Sequence, residues 1–313
     1  MTIAVRRAFG IAAGELAAAS QSALEVPLAE EAELWIARPK EEAIALGSFQ
    51  RALSAEGKGS AESVLLVRRG SGGPAVRMGE GTLWVALLLA RVDALVPCDE
   101  ARLVNRYVRP LLRALTKCGA LAHFFGRDWV SVSRRPAAWI GFAHDRASGR
   151  AVVEAFIARE TPFDAGPRAS YLGKEPGTLR SILGHAIDEE KLVAAIVLAY
   201  AEASGHRTID RGTFPLASPA PDVTRLDPPW GATVEEVIGP IGAGLDASGR
   251  FRVGGDLLVS RDALAALEAL LPTTPDAAVA AALDATLAAP GVALDGVRSL
   301  TSIRDAILAA RGC

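Results

Sequence analysis

VLLVRRGSGGPAVRMGEGTLWVALLLA, residues 64 to 90, is the stretch on which the fold reading turns. Val64 to Val67 is a β-branched and leucine run that delivers Arg68 and Arg69 to the turn Gly70-Ser71-Gly72-Gly73. A second apolar run, Thr82 to Ala90, follows. Glycines let backbone N–H groups approach an anion and form a concave nest. Arginines beside them supply permanently charged planar forks. The pattern therefore suits a phosphate or carboxylate site; it equally suits a β-hairpin with a solvated arginine pair. It is not a P-loop, because no Gly-Lys-Ser/Thr follows, and it lacks the GxGxxG of a dinucleotide site.

Arg68-Arg69-Gly70-Ser71-Gly72-Gly73-Pro74-Ala75-Val76 resembles the RRxSGGGAV loop of the lipoate–protein ligase family. Upstream, Trp35 and then Gly47-Ser48-Phe49-Gln50-Arg51 after the apolar Ala43 to Leu46 are similar to that family's W…IGxxQ segment. Downstream, Gly126-Arg127-Asp128 and Gly141-Phe142-Ala143 stand where the family has GxND and KxxGxA, and the resemblance runs to about Gly205. The loop is the specific part; the common order of the segments carries the rest. Gly249 to Leu258 resembles the small accessory domain of many such ligases.

The resemblance implies an α+β fold: a biotin/lipoate-ligase-like mixed sheet with flanking helices in residues 1–210, a proline-rich linker at 211–230, and a small α+β accessory domain at 231–313. It implies a lipoate- or octanoate–protein ligase that uses ATP, with room for Mg2+ beside it. Such an enzyme acts on a lysine of a lipoyl carrier domain from a 2-oxoacid dehydrogenase or a glycine cleavage protein. Arg68, Arg69, Ser71, Gly72 and Gly73 would hold carboxylate and phosphate oxygens. Trp35 would line the acyl groove or be ordinary core. Gln50 would reach the ligand or sit at a strand end. Gly47 and Gly141 complete the acyl-adenylate set.

This chain departs from the pattern at the chemistry. Counting back from Gly141, the family's lysine position is Ala138. The family's HD is Met78-Gly79, its HGT falls near Glu154-Ala155-Phe156, and the loop's third glycine is Pro74, which has no N–H. Arg134, Arg135 and Lys174 are nearby cations, but a guanidinium directs charge differently from an ammonium. No catalytic residue is assigned. The alternative function is a catalytically inactive paralogue that binds an acyl group or a carrier, and biotin ligase is a third, weaker reading.

Composition narrows the classes. The chain has 313 residues, half of them hydrophobic, and a formal net charge of −2. That is enough chain for two cores, and it carries no basic stripe of nucleic-acid-binding extent. Cys98, Cys118 and Cys313 are odd in number and scattered, which suits a reducing compartment and a cytoplasmic protein. Neither Cys98 nor Cys118 matches a nucleophile position, and His123, His144, His185 and His206 lack metal-ligand spacing. Leu83 to Ala90 and Leu192 to Ala201 are too short to span a bilayer.

The expected strands are Glu33 to Ile36, Ala43 to Leu46, Val64 to Val67, Leu83 to Leu89, Trp129 to Val132, Ala138 to Ala143 and Ala151 to Ala158. Ala8 to Ala19 follows Arg6-Arg7 in the manner of a signal peptide, yet Glu15 and the spacing of Leu16, Ser20 and Leu24 predict an N-terminal helix. Asp99 is expected to cap a helix that stops at Gly119, and a second helix is expected from about Asp188 to Ala203. Gly212 to Trp230, with Pro215, Pro219, Pro221, Pro228 and Pro229, predicts an extended connection exposed to proteases. Short strands with turns at Gly244 and Gly249 should follow, then helices near 260–271, 275–288 and 299–310.

Overall fold

The chain opens as a strand. The computed structural model describes residues 2–52, 64–166, 168–215 and 227–312. In it β1 (Thr2–Ile11) precedes the first helix, α1 (Ala13–Ser22). The N-terminal helix expected from Ala8 is thus corrected to a strand up to Ile11. Ile3, Val5 and Ala8 are buried in the sheet, and Arg6 pairs with Glu33 on the neighbouring strand at 2.9 Å. A helix starts only where its first N–H groups find acceptors. The Glu15 carboxylate supplies one by reaching back to the Ala12 N–H at 2.8 Å.

Five strands follow α1: β2 (Ala32–Pro39), β3 (Ala43–Leu46), β4 (Leu65–Arg68), β5 (Val76–Met78) and β6 (Thr82–Leu89). Helix α2 (Leu103–Lys117) leads to β7 (Ala122–Phe124), β8 (Trp129–Val132), β9 (Arg135–Asp145) and β10 (Arg150–Ala158). Then come α3 (Leu179–Leu183), α4 (Glu189–Ser204) and β11 (Arg207–Asp210). Eight strands form one sheet in the order β11-β1-β2-β6-β10-β9-β8-β7. β1 runs parallel to both its neighbours, and the remaining pairs are antiparallel. A small second sheet, β4-β3-β5, carries the glycine-rich loop between β4 and β5. The central strands are buried on both faces, which is why they read as unbroken apolar runs.

Asp99 does not cap α2. A single 3₁₀ turn, Glu100–Arg102, intervenes, and Asp99 instead pairs with Arg102 at 3.5 Å. Asp188 does cap α4, accepting from the Lys191 N–H at 2.8 Å, and Gly205 ends that helix at φ +68°. Asp188→Ala is expected to lower the unfolding free energy by about 1 kcal/mol, read from the midpoint of urea denaturation.

The proline-rich connection is anchored at both described ends. Phe214 is buried and stacks on Trp35, with centroids 4.9 Å apart, while the Gly212 carbonyl accepts from the Arg7 N–H. At the far end Arg51 donates to the Pro228 and Pro229 carbonyls and lies 3.7 Å over the Trp230 ring. Within the connection expected to be exposed, Gly212, Thr213, Pro215 and Pro229 are exposed and Phe214 is buried. Proline composition signals loss of helix, but an aromatic within the segment can still reach a core. Pro219 and Pro221 lie outside the described residues.

The C-terminal portion runs β12 (Ala232–Glu235), β13 (Pro240–Leu245), β14 (Phe251–Gly255), β15 (Leu258–Val259), α5 (Arg261–Leu270), α6 (Val279–Thr286), β16 (Leu294–Asp295) and α7 (Leu300–Arg311). β12, β13 and β14 form an antiparallel sheet against helices with a hydrophobic cluster of their own, while Leu258 joins the larger core. Gly249 makes the turn between β13 and β14, but Gly244 lies inside β13, where a side chain would strike the Gly231 backbone. Among the described residues no helix is long and apolar enough to cross a membrane.

Candidate functional site

The loop after β4 is held from every side. Arg69 is fully buried, and its guanidinium donates to Ser71 Oγ (3.0 Å), the Ala45 carbonyl (2.7 Å), the Gly72 carbonyl (2.6 Å) and the Pro74 carbonyl (2.7 Å). Its plane lies 4.1 Å from the centroid of Trp139. Ser71 donates in turn to the buried carboxylate of Glu154 on β10. Burial pushes the Arg69 guanidinium below its usual range, opposed by the charges of Glu154 and Asp256. Burial also raises Glu154, opposed by hydrogen bonds from Ser20 and Ser71 and by Arg69. A charged fork sealed into the interior is thus offset by carbonyl dipoles and the carboxylates of Glu154 and Asp256.

The loop's amides are similarly engaged. The Arg69 N–H donates to the Leu46 carbonyl, the Gly70 N–H to Ser20 Oγ, the Gly72 N–H to the Phe142 carbonyl and the Gly73 N–H to the Leu257 carbonyl at 2.7 Å. That last acceptor comes from the C-terminal portion, which reaches over the loop just before β15. The glycines are there because backbone and rings pass so close. A Cβ on Gly47 would collide with the Gly73 carbonyl, and one on Gly72 with the Leu257 carbonyl. At Gly73, with φ +86°, a Cβ would lie 2.8 Å from the Trp139 ring, and Gly141 faces the same ring. Of the anion nest expected of Arg69 and the Ser71-to-Gly73 segment, the Arg69 fork and the Gly72 and Gly73 amides meet protein acceptors in this structure, and Trp139 lies against Gly73.

The other expected site residues divide. Trp35 is core: it is 1% exposed, stacks on Phe214 and donates its ring N–H to Glu33 at 2.8 Å. It therefore forms no wall of an open groove, because the residues after β11 cover its face. Gln50 ties the two portions together, accepting from the Gly47 N–H and donating to Asp256 Oδ1 at 2.5 Å. Arg68 is turned toward solvent relative to Arg69. It donates to the Gly47 and Gln50 carbonyls and stands 3.7 Å from Asp227.

Arg68, Gln50 and Arg51 border a cleft of about 1030 Å³ between α1, the Ser48-to-Arg51 loop and the C-terminal portion. Its far wall carries Arg252 and Arg261. Its cations face carboxylates: Arg252 meets Glu268 at 2.7 Å and Asp246 at 3.5 Å, and Arg261 meets Glu25 at 3.8 Å. Arg51 is held instead by three backbone carbonyls, of Pro228, Pro229 and Gly244. Burial lowers both Arg51 and Arg68. Among the described residues no group of three His, Cys, Asp or Glu side chains is placed to hold a metal ion.

Several residues that build this arrangement were not singled out by sequence. Trp139, Glu154, Asp256 and Leu257 are the main ones. Glu154 did leave a signal, as the lone charge inside the apolar AVVEAFIA strand. Asp128, in the segment resembling GxND, pairs with buried Arg168 at 2.7 Å, and Arg168 also donates to the Ile238 carbonyl. Burial lowers the Arg168 pKa, but Asp128 and Asp256 outweigh it and the net shift is upward. Lys174 lies over the Phe125 and Trp129 rings, 5.6 and 5.1 Å from their centroids.

His144 at the end of β9 makes a further tie to the C-terminal portion, with Nδ1 2.8 Å from Ser260 Oγ at the start of α5. Burial lowers its pKa. Glu100, Asp262 and Asp145 oppose that shift, and Arg146 adds to it. The fold therefore favours neutral His144. The associated stability is present above the unfolded pKa of about 6.5 and is lost as pH falls toward the depressed folded value. The melting temperature of the unaltered chain should drop more steeply below that pH than that of His144→Gln; parallel curves would remove His144 as the cause.

The large mixed sheet with its flanking helices and the loop between β4 and β5 has the fold of lipoate–protein ligases. One such structure is the bipartite lipoate protein ligase of Thermoplasma acidophilum, studied with its E2 lipoyl domain. It is 13% identical, with a TM-score of 0.54 over 68% of this chain and 88% of that one. Another is a lipoate-protein ligase A bound with ATP, at 12% identity and a TM-score of 0.51 over 68% and 88% of the two chains. At this identity the likeness is one of fold. No family model and no curated protein matches the chain.

Proposed function

We propose that this chain is a lipoate-ligase-fold binding module that does not activate a carboxylate, and that it engages a lipoyl carrier domain. The observation that carries this reading is the state of the loop. Four of the five Arg69 N–H groups meet protein acceptors, and the Leu257 carbonyl caps the Gly73 N–H. The residues present do not fit an acyl-adenylate in this arrangement. A phosphate oxygen would have to displace the Leu257 carbonyl at the Gly73 N–H and protein oxygens at the Arg69 fork, and Trp139 fills the space beside Gly73 and Gly141. Carrier recognition is favoured over acyl recognition because the interior next to the loop is packed by Trp139 and the Leu257 carbonyl. The T. acidophilum likeness, a ligase studied with its lipoyl domain, supports the same partner class.

The second reading, an active lipoate or octanoate ligase using ATP and Mg2+, has one observation in its favour. The portion that caps the loop has its own hydrophobic cluster, so it could move as a unit. Pyrophosphate release with lipoic or octanoic acid, ATP and Mg2+ separates the two. We expect release at least about 10²-fold slower than from a ligase that has the lysine, the scale of losing one fixed donor to transition-state charge. A lipoyl carrier domain should still bind in calorimetry. Brisk release would overturn the binding-module reading, and absence of carrier binding would remove the partner assignment.

A further inference from the structure

Helix α2 presents a feature that neither the loop nor the cleft uses. Its inner face, including Leu103, Tyr107, Leu111 and Leu115, is buried. Its outer face carries Arg106, Arg109, Arg113 and Lys117, spaced three, four and four apart, which is one stripe of a helix, and Arg102 precedes them at the end of the 3₁₀ turn. Like charges at these spacings oppose helix formation. The two ends are neutralised: Arg102 by Asp99 at 3.5 Å, Lys117 by Glu202 at 3.0 Å. Among the described residues Arg106, Arg109 and Arg113 have no carboxylate within ion-pair distance; Arg109 donates only to Asn105 Oδ1.

These three arginines border a cavity of about 150 Å³ where α2 meets α4. Leu95, Val96, Tyr107, Pro110, Tyr200 and Ala203 line it. It is preformed. The Tyr200 hydroxyl donates to the Tyr107 carbonyl at 2.9 Å, and the Tyr107 hydroxyl to the Val92 carbonyl at 2.7 Å. Pro110 lacks an N–H, so the Arg106 carbonyl has lost its helical donor and leaves an acceptor at the rim. An apolar cavity of this size takes a single benzene-sized group.

We propose that this face docks an acidic segment of a partner protein, with carboxylates at helical spacing on Arg106, Arg109 and Arg113 and one large apolar side chain in the cavity. Charge complementarity selects the partner. The chain's own acidic residues Glu30 and Glu31 are already paired, with Arg211 and Arg91. A nucleic acid would call for a basic surface wider than two helical turns on a chain whose net charge is −2. A membrane surface would call for protruding apolar side chains rather than a recess. The docking site goes beyond the proposed function and needs neither carrier nor acyl chemistry.

The probe is a synthetic helical peptide with glutamates at i, i+4 and i+7 and a leucine between them, titrated into the full chain at low salt. Binding should weaken as salt rises. It should also weaken about tenfold or more, about 1.4 kcal/mol, with glutamine in place of glutamate, with alanine in place of the leucine, or with R106E/R109E/R113E. Ala203→Phe fills the cavity without touching the charges. It should cost affinity for the leucine peptide while leaving the far-UV spectrum unchanged. Absence of binding, or binding indifferent to the leucine and the arginines, overturns the proposal. So does equal or tighter binding of duplex DNA or of phosphatidylserine vesicles at the same face.

Discussion

Arg69→Ala is expected to lower the unfolding free energy by about 3–5 kcal/mol, the cost of breaking a buried charged network from one side. The resemblance gave Arg69 a different role, that of holding carboxylate and phosphate oxygens. The difference follows from where the guanidinium sits. It is fully buried against Trp139 and serves the carbonyls of Ala45, Gly72 and Pro74 as well as Ser71. Truncation leaves those acceptors without donors, leaves Glu154 buried without its neighbouring cation, and opens a cavity beside an indole. Arg69→Lys should recover only part of the loss, because an ammonium cannot match four acceptors arranged around a planar fork. Urea denaturation of the three proteins measures this. Arg68→Ala is the control: Arg68 lies at the cleft edge and binds two carbonyls, so its loss should be clearly smaller. Equal midpoints for Arg69→Ala and the parent would mean that the buried network contributes nothing.

The contrast between Arg68 and Arg69 shows how much the sequence could say. Two adjacent arginines before a glycine turn are indistinguishable in composition. On a strand they alternate faces, so one enters the interior and the other meets the cleft. The turn and the strands around it follow from local signals, β-branched runs and glycines, and a second helix has a real cap at Asp188. Ala43–Leu46 and Trp129–Val132 fall where the apolar pattern places them. β1 was hidden because its end, Ala8 to Ile11, runs straight into the alanine-rich Ala12 to Ala19 and so reads as one helix with it, and its partners β2 and β11 are distant in sequence. The occupancy of the loop was hidden for the same reason. Leu257 and Asp256 lie about two hundred residues from the atoms they meet, and no local pattern announces such a contact.

Ala138→Lys gives the sharpest test of whether the ligase chemistry is one substitution away. The resemblance to the ligase loop places the family's lysine at this position. The structure gives a different outcome. Trp139 and Gly141 share the face of β9 that meets the loop, so Ala138 points to the other side of the sheet. There it is 1% exposed, with Val130 and Ile157 as its cross-strand partners. A lysine at this point would place its ammonium in an apolar interior. Burial of that kind moves a lysine pKa by about 3–5 units, which corresponds to about 4–7 kcal/mol against the charged form at neutral pH. Ala138→Lys should therefore unfold at markedly lower denaturant and release no more pyrophosphate than the parent. Stability should improve as pH rises, because the neutral amine is the tolerated form. A stable variant with raised adenylation would show that β9 can turn this side chain to the loop, and with it that the loop can open to a ligand.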